Sequence, residues 1–384
     1  MAKAVKTERR TPLKIGMVGG GQGAFIGAVH RIALAMDGQF QLVAGAFSSD
    51  PRNSERTGAE LGLEPARVYK TWQDMAHQEA TQPPGERIDA VSIVTPNHLH
   101  HGPAKLFLEN GFHVICDKPL TISVEEAEDL AATVAKQKKV FCVTHNYTGY
   151  PMVREARNLV TSGAFGKLRK VYVEYLQGWL SERLEKTGQK QASWRTDPKR
   201  SGPCGAMGDI GTHAENLVEH ITGQKIATLY ALLHTFVPGR PLDDDGMVLF
   251  HLEGGATGTL CASQVCVGQE NGLRIRVFGE KGGLSWAQEH PNDLTVYWKD
   301  RAPELRRPGN AWIAPKSATL QRVPAGHPEG YLEAFANLYR AFARAIHGKD
   351  DIDQSFPTVA DGLRGMRFLR AVLDSSRKGT WVKV

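Results

Sequence analysis

The sequence is poor in cysteine and has no paired cysteine motif. Its 384 residues contain five cysteines, at positions 116, 142, 204, 261 and 266, and no two of them form a C-x-x-C pair. A sparse, odd-numbered set argues against a disulfide-stapled secreted fold and against a cysteine-rich zinc site. We therefore expect free thiols in a reducing compartment, which favours a cytoplasmic protein.

Long apolar stretches are also missing. The chain contains no run of about 18 apolar residues, the length that a membrane-spanning helix needs. The segment MAKAVKTERRTPLK carries Arg9 and Arg10 without an apolar stretch of the signal-peptide kind after them, so it does not predict a twin-arginine export signal. We predict a protein without a membrane partner.

Charge of one sign is nowhere concentrated. The formal net charge is +6, and small local excesses occur at Lys3–Lys14 and Arg301–Arg322. Neither excess is interleaved with aromatic residues or carries a nucleic-acid motif. The surplus predicts solubility or attraction of anionic ligands, and we expect no nucleic-acid partner.

Strand-like and helix-like segments alternate from residue 13 to about residue 143, beginning with LKIGMVGG, AVHRIALAM and FQLVAGAFS. After about residue 151, short apolar segments such as KLRKVYVEYL, DGMVLFHL and DLTVYW follow one another across glycine-containing joints. The first pattern predicts a parallel, doubly wound sheet, and the second an antiparallel sheet. We predict an α/β protein with a dinucleotide-binding domain over residues 1–145. Residues 146–384 would form a second domain with an open antiparallel sheet and C-terminal helices.

A glycine-rich stretch, VGGGQGAFIG, joins the first predicted strand to the first helix. Such a loop brings backbone N–H groups and a helix N-terminus close to the diphosphate of a dinucleotide. Gly19 and Gly21 begin a G-x-G pattern, but Gly23 is too early and Gly27 three residues late for the third glycine of G-x-G-x-x-G. The predicted cofactor contacts in this loop are Gly19, Gly21, Gln22, Ala24 and Phe25.

The end of the second strand, GAFSSDPR, bears on which dinucleotide is bound. An acid here would bind a ribose 2′-hydroxyl, and a basic residue would accept a 2′-phosphate. Phe47 and Ser48 stand where the acid is expected, with Asp50 two or three residues later and Arg52 nearby. Ser48, Ser49 and Arg52 favour NADP, whereas Asp50 could reach the hydroxyl of NAD or simply begin a helix.

Polar side chains follow the next two strands, in TPNHLHH and in CDKP. Because the carboxyl ends of parallel strands meet along one edge, both segments should face the same ligand. A lysine at this edge can direct its ammonium at an oxygen that develops negative charge. We predict no metal at HLHH, whose histidines point to different sides. Nor do we predict one at Asp243–Asp245, which we interpret as a turn before a strand.

TPNHLH, DKPL some twenty residues later and GDIGTH together resemble the Gfo/Idh/MocA family of oxidoreductases, whose members include glucose–fructose oxidoreductase and inositol dehydrogenases. The resemblance extends through HNYTGYPMVREARNLVTSGAFGKL and SWRTDPKRSGPCGAMGDIGTHAENL and covers nearly the whole chain. It implies a Rossmann domain followed by an α/β domain with a large open, mostly antiparallel sheet. It also implies that residues 146–384 form the substrate-binding and oligomerisation domain, whose sheet packs between the subunits of a homodimer or homotetramer.

The resemblance assigns roles to individual residues. Lys118 matches the lysine of the family's Glu-Lys-Pro motif, with Asp117 in place of the glutamate. Asp209 and His213 match its Asp-x-x-x-His pair. The family's Thr-Pro-Asn-x-x-His element, which lies near the nicotinamide, is matched by Thr95, Pro96, Asn97 and His100.

Asp209 and His213 are four residues apart and would share one helix face. A carboxylate in contact with the imidazole would fix its tautomer and stabilise its protonated form. A histidine of near-neutral pKa suits a general base for an alcohol. We predict that His213 takes the hydroxyl proton and Lys118 offsets the charge on the oxygen while the carbinol hydrogen leaves as hydride. The alternative is a helix-surface pair without a catalytic role.

Aromatic and cationic residues of the second domain are candidate substrate contacts. Aromatic faces suit the C–H faces of sugar rings, although such tryptophans can equally belong to a core or an interface. Asn216 stands where many family members have an acid, and Thr148 replaces a common arginine, so the resemblance implies a pocket of altered polarity. The candidates beside Lys118, Asp209 and His213 are Tyr147, Trp179, Trp194, Arg195 and His145.

The combined prediction is an NAD(P)-dependent dehydrogenase or reductase that acts on a secondary alcohol of a sugar, cyclitol or related polyol. A second possibility is an enzyme that retains its cofactor while it epimerises, eliminates or hydrolyses a glycoside. A third is a non-catalytic dinucleotide-binding regulator, against which the joint presence of Lys118, Asp209 and His213 argues.

Overall fold

The first sheet is parallel and is built from the first 143 residues. The computed structural model describes residues 11–349 and 356–384, so Arg9, Arg10 and most of the basic stretch Lys3–Lys14 lie outside the described residues. The strands are β1 (Leu13–Gly19), β2 (Phe40–Ala46), β3 (Ala90–Val94), β4 (His113–Cys116) and β5 (Phe141–Val143). They pair in the order β2-β1-β3-β4-β5, which confirms the predicted parallel sheet.

Helices cover both faces of this sheet. A strand that is buried on both faces has a continuous apolar sequence, and β3 is buried at every position. The connecting helices are α1 (Phe25–Met36), α2 (Pro51–Glu60), α3 (Trp72–Thr81), α4 (His101–Glu109) and α5 (Val124–Gln137). Ser123 and Glu126, at the start of α5, form half of a capping box. The Ser123 hydroxyl accepts the Glu126 N–H, but the Glu126 carboxylate accepts from Ile122 instead of Ser123.

The second sheet has nine strands and is open. Its strands are β6 (Leu168–Leu176), β7 (Ile226–His234), β8 (Asp245–Leu252), β9 (Thr257–Ser263), β10 (Gly272–Gly279), β11 (Gly282–Ala287), β12 (Leu294–Trp298), β13 (Glu304–Arg306) and β14 (Val382–Lys383). The order is β13-β12-β11-β10-β6-β9-β8-β7-β14, and every pair is antiparallel except β6 with β9. The predicted, mostly antiparallel sheet is confirmed.

Some helices of the second part cover one face of this sheet, and one returns to the first sheet. The helices of this part are α6 (Pro151–Thr161), α7 (Lys190–Arg195), α8 (Pro198–Ser201), α9 (Thr212–Thr222), α10 (Pro315–Ala318), α11 (Tyr331–Ile346) and α12 (Val359–Lys378). Phe335, Tyr339 and Phe342 of α11 pack with the apolar face of α1 in one core. The two sheets are thereby held together. No helix within the described ranges is long and apolar enough to cross a membrane.

Candidate active site

A cleft of about 760 Å³ lies where the carboxyl ends of the parallel strands meet the second sheet. Ligands bind at this edge in open α/β sheets, because loops and helix N-termini converge there. The predicted residues that line the cleft are Gly19, Gly21, Gln22, Ala24, Phe25, Ser48, Ser49, Thr95, Pro96, Asn97, Asp117, Lys118, Tyr147, Trp194, Arg195, Asp209 and His213. Arg52, His100, His145 and Trp179 do not line it.

The glycine loop fits a dinucleotide. Ala24, which precedes α1, contributes no side-chain cap, so the first N–H groups of that helix are open to an anionic ligand. A Cβ on Gly21 would lie 2.8 Å from the side chain of Asn53, so only glycine fits there. Gly27 lies three residues later than the third glycine of G-x-G-x-x-G, but it allows the same close packing of the helix on the loop. A Cβ on it would lie 2.4 Å from the Gly20 Cα. The loop therefore keeps the elements that a diphosphate requires.

The end of β2 presents hydroxyls and an amide to the cleft instead of a charge. Ser48, Ser49 and Asn53 line it. The Asp50 carboxylate accepts the backbone N–H of Arg52 at 3.0 Å and so begins α2. Arg52 is exposed and outside the cleft, which removes one of the three residues on which the preference for NADP depended.

His100 supports the loop at the end of β3 and does not face the cleft. It is fully buried, and its ring nitrogens lie 2.8 Å from the Pro119 carbonyl oxygen and 2.9 Å from that of Thr95. The cofactor contact predicted for His100 is therefore wrong. The 3₁₀ turn Asn97–Leu99 rotates it inward and leaves the neighbouring His98 on the cleft wall. Asn97 donates to the Ser201 carbonyl at 2.8 Å, which ties this loop to the second part of the chain.

Asp117, immediately before Lys118, is held by a buried histidine. His30 Nε2 lies 3.0 Å from Asp117 Oδ1, and His30 Nδ1 lies 2.7 Å from the Tyr339 hydroxyl. The Thr144 hydroxyl donates to the same Asp117 oxygen at 2.5 Å. Although burial opposes it, the contacts with His30 and Thr144 keep the pKa of Asp117 below its ordinary value. The carboxylate is thus charged and fixed at the cleft wall.

Lys118 forms an ion pair with Asp209 across the two parts of the chain. Its ammonium donates to Asp209 Oδ1 at 2.9 Å and to the Asp209 backbone carbonyl. The other carboxylate oxygen accepts from Arg195 Nε at 3.2 Å and from Gln264 Nε2 at 2.9 Å. Burial alone would raise the pKa of Asp209, but Lys118 and Arg195 hold it far below its ordinary value. Asp209 is therefore a fixed anion that orients two cations.

The predicted contact between Asp209 and His213 is wrong. Residues Met207–Gly211 form a π-helical turn, which spaces residues differently from the α-helix assumed for an i, i+4 pair. The carboxylate turns toward Lys118, and His213 Nδ1 has no hydrogen-bond partner among the residues that the structure describes. Aromatic rings position the imidazole instead. The Tyr147 ring centroid lies 4.7 Å from that of His213, and the His145 centroid lies 5.4 Å from it, both edge to face.

The imidazole of His213 is neutral in this setting. Burial lowers its pKa well below the ordinary value, the charge on Lys118 and the neighbouring His145 lower it further, and Asp209 offsets only part of this. Burial, with a smaller contribution from Lys118, likewise lowers the pKa of His145 to about 3. A neutral histidine can accept a proton from a hydroxyl without first losing one.

The opposite wall of the cleft carries a network of polar side chains from the ends of β6 and β10 and from the 3₁₀ turn Asn146–Gly149. The hydroxyls of Tyr147 and Tyr175 lie 2.5 Å apart, and Tyr175 donates to Asn271 Oδ1 at 2.6 Å. Gln177 Nε2 donates to the same Asn271 oxygen at 3.0 Å. Trp179 does not line the cleft, but its indole N–H donates to the Gln177 side chain at 3.0 Å. Any effect of Trp179 on the substrate would therefore pass through Gln177. The guanidinium of Arg195 lies 4.3 Å over the Trp194 ring.

Several of these residues were not predicted from the sequence. Tyr175, Gln177, Gln264 and Asn271 carry no motif, and only strand pairing brings them together. One signal was present, since each lies within three residues of the end of a predicted strand. Asn216 and Thr148, the two departures from the family pattern, do not line this cleft. Asn216 lines a separate cavity of about 180 Å³.

Two family models match the chain. The oxidoreductase family with an NAD-binding Rossmann fold matches residues 13–145, and the GFO/IDH/MocA C-terminal domain matches residues 153–285. The chain is 35% identical to the uncharacterized oxidoreductase YfiI of Bacillus subtilis over 97% of both chains. It is 27% identical to the levoglucosan dehydrogenase of Pseudarthrobacter phenanthrenivorans over 97% of this chain and 98% of the relative.

A solved structure agrees over the same length. The crystal structure of an inositol dehydrogenase homolog from Azotobacter vinelandii, complexed with NAD⁺, matches with a TM-score of 0.93 at 36% identity and covers 97% of this chain and 98% of that one. That homolog has also been solved with NADH and myo-inositol. Together with the parallel sheet and its glycine loop, these matches confirm the family resemblance. The chain belongs to the GFO/IDH/MocA family and is an oxidoreductase with an NAD-binding Rossmann domain.

Proposed function

We propose that the protein is a dehydrogenase that oxidises a secondary hydroxyl of a cyclitol, sugar or related polyol, with His213 as base and Lys118 as the group that polarises the oxygen. The observation that carries this proposal is the shared cleft of Lys118, His213 and the glycine loop. Myo-inositol in the Azotobacter homolog and the levoglucosan dehydrogenase activity of a second relative support the substrate class.

The nicotinamide, when bound, supplies the acceptor for the carbinol hydrogen and its electron pair. Lys118 has three N–H bonds, and two of them donate to Asp209. The third is available to the substrate oxygen, where the ammonium favours the developing negative charge. The neutral imidazole of His213 takes the hydroxyl proton, so that a carbonyl remains on the substrate.

The network on the opposite wall suits a substrate with several hydroxyls. Tyr175, Gln177 and Asn271 offer donors and acceptors that are already oriented by their mutual bonds. A site built in this way rejects analogues that lack a matching hydroxyl, because its buried polar groups would be left unpaired. This argues for a polyol over a simple aliphatic alcohol.

For the cofactor we propose NAD. The cleft wall at β2 offers Ser48, Ser49 and Asn53, none of which is a cation that would pair with a 2′-phosphate. The related structures with bound NAD⁺ and NADH support the same choice. NADP stays the alternative, because the two serine hydroxyls can donate hydrogen bonds to a 2′-phosphate.

A spectrophotometric screen tests the proposal. Cyclitols, aldoses and anhydrosugars are offered with NAD and NADP in parallel, and reduction is followed at the absorbance of the reduced nicotinamide. We expect reduction of NAD by at least one cyclitol or sugar. Conversion of a substrate without net cofactor reduction would point instead to an epimerase or eliminase that retains its cofactor. Dinucleotide binding with no conversion across the panel would contradict the proposal.

A further inference from the structure

A short segment of the second domain lies across the mouth of the cofactor cleft. It contains α7 and α8, and five of its residues line the cleft, namely Lys190, Gln191, Trp194, Arg195 and Arg200. The bond from Asn97 to the Ser201 carbonyl anchors its far end to the Rossmann side. At its near end, Gln189 begins α7 by accepting the backbone N–H of Ala192. This segment is therefore placed to touch a ligand that lies on the Rossmann domain.

Lys190 is the residue of this segment that reaches the glycine loop. Its Nζ lies 4.0 Å from the position that a Cβ on Gly23 would occupy. Gly23 adopts a φ of +78° and lies one residue before Ala24, which precedes α1. The ammonium thus stands opposite the uncapped N-terminus of α1, where the diphosphate of a dinucleotide is expected.

Two of the other cationic residues that line the cleft are already engaged. Lys118 and Arg195 both pair with the Asp209 carboxylate. Within the part of the chain that the structure describes, the Lys190 ammonium has neither a salt-bridge partner nor a hydrogen-bond acceptor. A lysine side chain aimed at an anion-binding loop without a protein partner is well placed to pair with a ligand anion.

We propose that Lys190 is a cofactor-binding residue contributed by the second domain, whose ammonium pairs with the diphosphate held by the glycine loop. The same short helix carries Trp194 and Arg195, so the contact would also fix these two residues of the substrate site once the cofactor is bound. The proposal rests on the dinucleotide site of the proposed function and not on the identity of the substrate.

Direct binding measurements test it. NADH binding is followed by its fluorescence, and ADP-ribose, which has the diphosphate but no nicotinamide, by calorimetry. At low salt, Lys190→Gln should weaken both ligands by a similar factor of about ten, as expected for loss of one charge-assisted contact. Lys190→Arg should bind within a factor of about two to three of wild type, since it keeps the charge. Because salt screens exposed charges, the deficit of Lys190→Gln should shrink in about 0.5 M sodium chloride.

Lys186→Gln is the matched control, because Lys186 is an exposed lysine that lies four residues before Lys190 and does not line the cleft. It should bind both ligands as wild type does. Equal affinity of wild type and Lys190→Gln at low salt would overturn the inference. So would a deficit for NADH without one for ADP-ribose, since that would place Lys190 at the nicotinamide. Failure of wild type to bind NADH would refute the proposed cofactor site itself. That result is distinguishable from a failure of the Lys190 inference, in which wild type binds NADH.

Discussion

At the scale of single residues, the site depends on which charges face one another. Asp209 neutralises Lys118 and Arg195, and His213 lies beside this cluster with no carboxylate of its own. His213, the proposed base, is therefore kept neutral by burial and by a nearby ammonium, and aromatic edges set its orientation. A weak base that is held in a fixed position beside the substrate can still be effective, because positioning supplies much of the rate enhancement.

This arrangement predicts an unusual pH dependence. A base in the role proposed for His213 works only when unprotonated, so activity should fall as the pH drops through the pKa of His213, which lies well below its ordinary value of 6.5. We expect kcat/KM of the wild type to lose little between pH 7 and about pH 6 on account of this group. Lys118→Met removes a positive neighbour and should raise the pKa of His213 toward its ordinary value.

Histidine NMR titration of both proteins measures this. Lys105→Met serves as the matched control, because Lys105 pairs with Asp129 and lies outside the cleft. An acid limb of the wild type at or above pH 6.5, or a His213 pKa that does not respond to Lys118→Met, would contradict the account.

At the scale of elements, the π-helical turn Met207–Gly211 decides where the catalytic side chains point. The Asp243 carboxylate holds its start, accepting the backbone N–H groups of Gly205 at 2.6 Å and Met207 at 2.8 Å. Gly205 is required there, because a Cβ on it would meet the Asp243 carbonyl at 2.0 Å. The predicted turn at Asp243–Asp245 is therefore also an anchor for the turn that presents Asp209.

Asp243→Ala should loosen this turn. It leaves two backbone donors without their carboxylate, at a cost of about 2–4 kcal/mol in the free energy of unfolding. Because Asp209 and His213 move with the turn, kcat/KM should fall by about tenfold or more while NADH affinity stays near that of wild type. Urea unfolding and steady-state kinetics check this. Asp245→Asn, in the adjacent strand, is the control and should change neither quantity much, and equal behaviour of the two variants would refute the anchoring role.

Whether the sequence could predict an element depends on how far apart along the chain the interacting residues lie. The parallel sheet, the glycine loop and the strand-end residues Asp117 and Lys118 depend on local periodicity and on adjacency along one sheet edge, so they could be predicted. The π-helical turn depends on Asp243, which lies more than thirty residues away, and no local pattern reveals it. His100 was misplaced for a related reason, since a 3₁₀ turn changed which histidine faces the cleft.

At the scale of the whole molecule, the second sheet leaves one face open to solvent. Leu232, Met247 and Leu249 are 60%, 56% and 48% exposed. Leu232 pairs with Met247 across β7 and β8, so the two side chains form one row on this face. A cluster of exposed apolar residues is typical of an interaction surface. The homodimer or homotetramer implied by the family resemblance stays a prediction, and this face is its expected interface.

A charged substitution tests the interface. Met247→Lys should shift the protein toward a monomer in light-scattering measurements, because a buried lysine without a partner opposes association. The control is Ile32→Lys, since Ile32 is 50% exposed on α1, away from the sheet. A wild type that is monomeric at micromolar concentration, or a Met247→Lys oligomer identical to wild type, would contradict the prediction.

The central claim is that Lys118 and His213 act on one substrate hydroxyl beside a bound nicotinamide. The most direct measurement is single-turnover reduction of NAD by the substrate identified in the screen, for wild type, Lys118→Met and His213→Asn, with NADH affinity measured on the same samples. We predict that each variant binds NADH within a few-fold of wild type and loses at least about a hundredfold in the reduction rate. Reduction at the wild-type rate in either variant, with NADH bound, would show that the hydroxyl reacts without that residue and would contradict the account.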